Sequence, residues 1–95
     1  MGQPVRVAEK PSSVRPGVVR FETNRPLTGM GHEHFDSTAD ATDPEDPAHE
    51  LARRLFARGG VDHVHVYGSV ITVDLAKGGD TAGMLDVIAN LFKHY

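Results

Sequence analysis

From Val61 to Leu75 the sequence VDHVHVYGSVITVDL alternates on both sides of Gly68-Ser69, the pattern of two short strands joined by a tight turn. A two-residue loop with glycine first is the composition of a type II′ turn, whose twist matches that of the strands it joins. The turn sets the pairing. It puts Tyr67 opposite Val70, Val66 opposite Ile71, His65 opposite Thr72, Val64 opposite Val73 and His63 opposite Asp74. Val64, Val66, Ile71 and Val73 then share one face, and His63, His65, Tyr67, Val70, Thr72 and Asp74 share the other. A slip of one residue would turn every side chain over, so the agreement between the two strands supports this register. One face reads as core and the opposite face as the carrier of polar chemistry.

The hairpin follows a helix. Asp46 is an N-cap and Pro47 stands at the first helical position, where its missing N–H costs nothing; Asp43-Pro44 is the rival start. Ala48, Leu51, Ala52, Leu55 and Phe56 form one apolar stripe. Arg53, Arg54 and Arg58 lie toward the C-terminal end, where cations favour the helix dipole, and Gly59-Gly60 ends it. After the turn at Lys77-Gly78-Gly79, Asp80 or Thr81 caps a second helix running to Tyr95, with Met84, Leu85, Ile88, Leu91, Phe92 and Tyr95 on its apolar face.

Ahead of both, Val18 to Thr23 alternates, with Val19 and Phe21 on one side and Val18, Arg20 and Glu22 on the other. Residues 3–8, QPVRVA, read as an edge strand that tolerates Pro4, and KPSSVRPG reads as the turn between the two. The order is therefore β-β-α-β-β-α: an α+β two-layer sandwich, with an antiparallel sheet of about four strands and two helices on one face. Ninety-five residues make one domain, 1–95.

No period appears between the second strand and the first helix. Residues 27–46 read as a long acidic loop, with Leu27, Met30 and Phe35 its large apolar residues and a short strand near His34-Phe35 left unassigned. Such a length of loop is functional or mobile. Charge is segregated around it. Residues 1–25 hold Arg6, Lys10, Arg15, Arg20 and Arg25 against Glu9 and Glu22, whereas residues 26–52 hold seven acids and neither Lys nor Arg.

Net charge is −3, no basic groove is visible, and nucleic acid is not an expected partner. No run approaches the roughly 20 apolar residues of a membrane span, and the first twenty residues lack the apolar stretch of a signal peptide. A soluble cytoplasmic protein is expected. There is no cysteine, so neither a disulfide nor a thiolate metal site is available and apolar burial must carry the fold.

The segments VRVAEKPSSVRPGVVRF, NRPL, PAHELARRLF and GGVDHVHVYGSVITVDL, with the closing helix, taken in order, resemble the N-terminal domain of the Nfu/NifU-type iron–sulfur scaffold proteins. The resemblance covers nearly the whole chain apart from the lengthened acidic loop. It implies a small module that assists iron–sulfur cluster assembly or binds iron, with an iron–sulfur carrier or an apo-target as partner. Longer family members hold the cluster on a Cys-x-x-Cys pair in a separate C-terminal domain. These residues contain no such pair, and no catalytic residue carries over from the resemblance. A non-enzymatic accessory module that docks on other proteins is the expected function.

Two groups of side chains can carry chemistry. His63, His65 and Asp74 lie on the polar face of the hairpin and are ligand types for non-haem iron or zinc; a solvated face with one His–Asp pair is the plainer account. His32 and His34, with Glu33 and Asp36, lie in the long loop. Folded over the sheet, that loop brings the total to four imidazoles, enough to close a site for iron; a solvated loop explains the same residues. The alternative function is an imidazole and carboxylate metal-binding protein independent of cluster assembly. For docking, the polar face offers Arg20, Glu22, Tyr67, Val70 and Thr72, a mixture typical of binding patches. Ser12, Ser13, Ser37 and Ser69 sit in no strand–turn–helix nucleophile motif.

Overall fold

The computed structural model describes residues 6–11, 15, 17–24, 26–27 and 31–91. The strands are β1 (Val7–Pro11), β2 (Val18–Thr23), β3 (His32–Phe35), β4 (Val61–Tyr67) and β5 (Val70–Leu75); the helices are α1 (Pro47–Arg58) and α2 (Met84–Leu91). The five strands form one antiparallel sheet in the order β1-β2-β5-β4-β3. The α+β class stands, but the sheet has five strands rather than about four, and the chain order is β-β-β-α-β-β-α.

The hairpin pairs as its turn dictates, from Tyr67 opposite Val70 to His63 opposite Asp74. Gly68 has φ 60°, the left-handed conformation that a II′ turn requires at its first position. The strict alternation fails in one place. Val61 pairs with Leu75 while His63 pairs with Asp74, so β4 carries a bulge around Asp62. The bulge turns Val61 away from the histidine side, and both Val61 and Leu75 pack against the core.

Val19, Phe21, Val64, Val66, Ile71 and Val73 line the inner face of the sheet. Leu51 and Leu55 of α1 with Met84, Ile88 and Leu91 of α2 close on them in a single cluster. Burying a side chain of this kind contributes about 1.5–3 kcal/mol, which is how a cysteine-free chain of this size holds together. Asp46 caps α1, its Oδ1 accepting from the Ala48 N–H at 2.8 Å; Gly59, at φ 90°, ends the helix and donates to Leu55 and Phe56. The helix therefore starts at Asp46-Pro47 and not at Asp43-Pro44.

The long loop is the largest departure from the sequence reading. Its residues His32–Phe35 pair with β4 as the edge strand β3. Phe35 is buried, and the Leu27 N–H donates 2.8 Å to the carbonyl of Gly68, tying the loop to the hairpin turn. Beyond β3, Ser37 caps a 3-10 turn over Thr38–Asp40. Arg53 then holds the carbonyls of Ala41 and Asp43 at 2.7 and 3.1 Å. This part of residues 27–46 is organised backbone, clamped by an arginine of α1.

The first strand also lies further along than expected. Lys10 and Pro11 belong to β1 rather than to a turn, at a sheet edge where a proline is tolerated. The second helix begins at Met84, and the Asp80 carboxylate instead accepts from Ala82 N–H at 3.1 Å and from Arg58 at 2.8 Å. The expected continuation to Tyr95, with Phe92 on its apolar face, lies outside the described residues, as do Met30, Ser12, Ser13 and the start of the QPVRVA strand.

Candidate functional site: a histidine array on the open sheet face

Because both helices pack on one face, the other carries the outward residues of all five strands. Pairing of β3 with β4 places His32 opposite Tyr67 and His34 opposite His65. One step beyond the last paired residues, Asp36 reaches His63, its carboxylate oxygen hydrogen-bonded to the ring Nδ1. Three successive cross-strand pairs thus stand side by side.

The rings are arranged regularly. His32 stacks on Tyr67 with centroids 4.0 Å apart and planes within 9°, and His34 stacks on His65 at 4.3 Å and 12°. The two stacks are joined diagonally, with His32 Nδ1 lying 2.8 Å from His65 Nε2 and the ring planes parallel within 2°. His63 sits beyond, tilted 42° to His34 at 5.7 Å. Burial, and then the charges that His34, His32 and His63 take up on protonation, hold the His65 pKa below the ordinary imidazole value.

The loop histidines and the hairpin histidines therefore meet, but as neighbours on adjacent strands and not by the loop folding over the sheet. Asp74 is opposite His63 as expected, yet the carboxylate bonded to His63 is that of Asp36. The expected set His63, His65, Asp74, His32 and His34 accordingly needs Asp36 as the oriented carboxylate. The signal for it lay in the sequence only once β3 is recognised, because Asp36 then follows His34 at the strand spacing of two.

The docking residues share this face. Register puts Arg20 beside Thr72 and Glu22 beside Val70, next to Tyr67. Glu22 is engaged by Lys10 at 3.1 Å and lies 4.0 Å from Arg20. Tyr67 is 48% exposed, the most exposed large apolar side chain among the described residues.

A second group was not anticipated. Glu33 faces the helices, and Glu33, Asp46 and His49 place ligand-type atoms within 4.8 Å of one another beside a cleft of about 370 Å³. All three are engaged within the fold. Asp46 caps α1; His49 Nδ1 accepts from the Asp43 N–H at 3.2 Å; its Nε2 lies 3.3 Å from Glu33; and its ring meets Phe35 edge-on at 4.9 Å. An imidazole whose Nδ1 accepts keeps its proton on Nε2, so Nε2 has no lone pair for a metal. This group is a clasp between β3 and α1.

The molecule defined by this geometry is a five-stranded α+β domain with one covered and one open sheet face. No family model matches the chain, and no curated protein matches it. Among solved structures it is similar to the X-ray crystal structure of the protein SAV1430 from Staphylococcus aureus, at 15% identity, over 92% of this chain and 98% of that one, with a TM-score of 0.64. At that identity the likeness is one of fold. Among the described residues no helix is long and apolar enough to cross a membrane.

Proposed function

We propose that this chain is a non-enzymatic binding module that assists iron–sulfur cluster assembly or delivery by docking on a cluster carrier or an apo-target. The observation that carries the docking part is Tyr67. It is a large aromatic, 48% exposed, held rigid by its stack on His32 and surrounded by a face that no element of the described fold covers. Rigid, amphipathic aromatics are favoured anchors because little side-chain entropy is lost when they bind. Arg20, Thr72 and Val70 continue the same surface. The iron–sulfur setting rests on the resemblance to the Nfu N-terminal domain.

The test is to titrate isotopically labelled protein with a cluster-loaded iron–sulfur carrier and map the amide shifts. Perturbations are expected on β4, β5 and β2, centred on Tyr67, and Tyr67→Ala should abolish them while the far-ultraviolet spectrum is unchanged. Shifts confined to α1 and α2, or a carrier with no effect, would overturn the reading.

A further inference from the structure

We propose that His32 and His65 form a chelating pair for a borderline divalent transition ion such as zinc or copper(II), bound through His32 Nδ1 and His65 Nε2 on the open face. Geometry and charge both favour this pair. Their nitrogens already face one another at 2.8 Å, the distance of an N–H···N bond. Two ligands at Zn–N distances of 2.0–2.1 Å in tetrahedral geometry stand roughly 3.3 Å apart, so to admit the ion the pair opens by about 0.5 Å and each ring swings its lone pair off the N···N line. Each ring is buttressed by its own register partner, His32 by Tyr67 at 4.0 Å and His65 by His34 at 4.3 Å, which fixes both ring planes before an ion arrives. The Asp36 carboxylate stands at the His63 end of the array and favours positive charge on this face.

The exchange balances without an outside reagent. In the free pair one ring donates its N–H to the other. On binding, that ring carries its proton on its other nitrogen, and two neutral lone pairs face the ion. Imidazole ligands select zinc, copper or nickel over magnesium or calcium, which prefer oxygen. Two protein ligands leave coordination positions for water or for an atom of a second molecule. His34 stacks on His65, and His63, 5.7 Å from His34, has its Nδ1 engaged by Asp36.

The probe is zinc(II) alone, added to the isolated protein in a buffer that does not bind metal. Binding is followed by calorimetry and by the ring-nitrogen resonances of labelled histidine. Saturation at one equivalent is expected, with the largest shifts at His32 Nδ1 and His65 Nε2 and no effect of magnesium at the same concentration. His32→Ala and His65→Ala should each weaken binding beyond the roughly 10–100-fold typical of losing an outer-shell partner. His49→Ala should leave it unchanged. The nitrogen resonances are read on the unmodified protein, so the assignment does not depend on a variant folding. Zinc shifts centred on His49, an affinity in either array variant equal to that of the unmodified protein, or no saturable binding would overturn the proposal. Carrier docking is measured without zinc, so either idea can fail while the other survives.

Discussion

His32 Nδ1 and His65 Nε2 lie 2.8 Å apart although the two residues are diagonal neighbours, His32 being paired with Tyr67 and His65 with His34. Diagonal contacts across a pair of strands are within reach of ring side chains. Here the contact converts two separate cross-strand stacks into one array. An N–H···N bond uses one donor and one acceptor, so it requires that the acceptor nitrogen be unprotonated.

His65 is therefore expected to titrate below the ordinary imidazole value of 6.5, first because burial penalises its charged form and then because neighbouring imidazolium charges repel it. A histidine with a lowered folded pKa takes up its proton first in the unfolded chain. Its contribution to stability is thus fully present above pH 6.5 and is lost as the pH falls toward the lowered value. An NMR pH titration gives the midpoint directly, and His34→Asn should raise it by removing the largest of the repulsive neighbours. A His65 midpoint at or above 6.5 would contradict the array.

Phe35 anchors the whole arrangement, since β3 is four residues long and Phe35 is its fully buried side chain. Phe35→Ala should cost about 3–5 kcal/mol in urea unfolding, the range for truncating a buried phenylalanine. It should also disturb the His32 and His34 ring signals more than those at Arg20, at the far side of the sheet. A loss below about 1 kcal/mol would mean that β3 is held by its ladder alone.

The hairpin and α1 were legible because their periods run unbroken over several residues and both ends carry explicit turn or cap chemistry. β3 was only partly so. In HEHF the inward positions are Glu33 and Phe35 and the outward ones are His32 and His34, so three of the four residues are polar and no alternation shows. Its place is set by non-local pairing, the burial of Phe35 and the contact of Glu33 with His49. A short strand near His34-Phe35 was legible but its extent and its pairing with β4 were not, and without that pairing Asp36 was hidden as the partner of His63, since the sequence register offered only Asp74. The bulge at Asp62 had no local signal either, and it shows in the register shift that pairs Val61 with Leu75 and leaves both partly buried against the core.

Glu50 links two arginines of α1, accepting from Arg54 Nε at 2.8 Å and from Arg53 at 2.9 Å. The Arg54 hydrogen bond, followed by that of Arg53, holds its carboxyl below the ordinary 4.5. The stabilisation is present above pH 4.5 and is lost as the pH falls toward the lowered value. Because these groups are partly exposed, Glu50→Gln should remove only about 0.3–1 kcal/mol at neutral pH. It should also flatten the stability profile just below pH 4.5. An unchanged acid limb in thermal melts of the variant would assign that loss to other carboxylates.

His49 provides the sharpest contrast with the array, because it is surrounded by ligand-type groups and yet committed to the fold. The Asp43 N–H points at Nδ1 from 3.2 Å, which leaves the ring proton on Nε2, facing Glu33 at 3.3 Å. Long-range proton–nitrogen spectra should show that tautomer, and His49→Ala should lower stability by about 1–3 kcal/mol, the sum expected for two net hydrogen bonds. A metal on Nε2 would force the proton onto Nδ1, against the Asp43 N–H, and so would break one of the contacts that fasten α1 to the preceding loop. Finding the proton on Nδ1 instead would free Nε2 and return the Glu33, Asp46 and His49 group to the list of metal sites. With the proton on Nε2, the zinc proposed above is expected at the array on the opposite face, where the ring proton can shift to the other nitrogen without loosening the core.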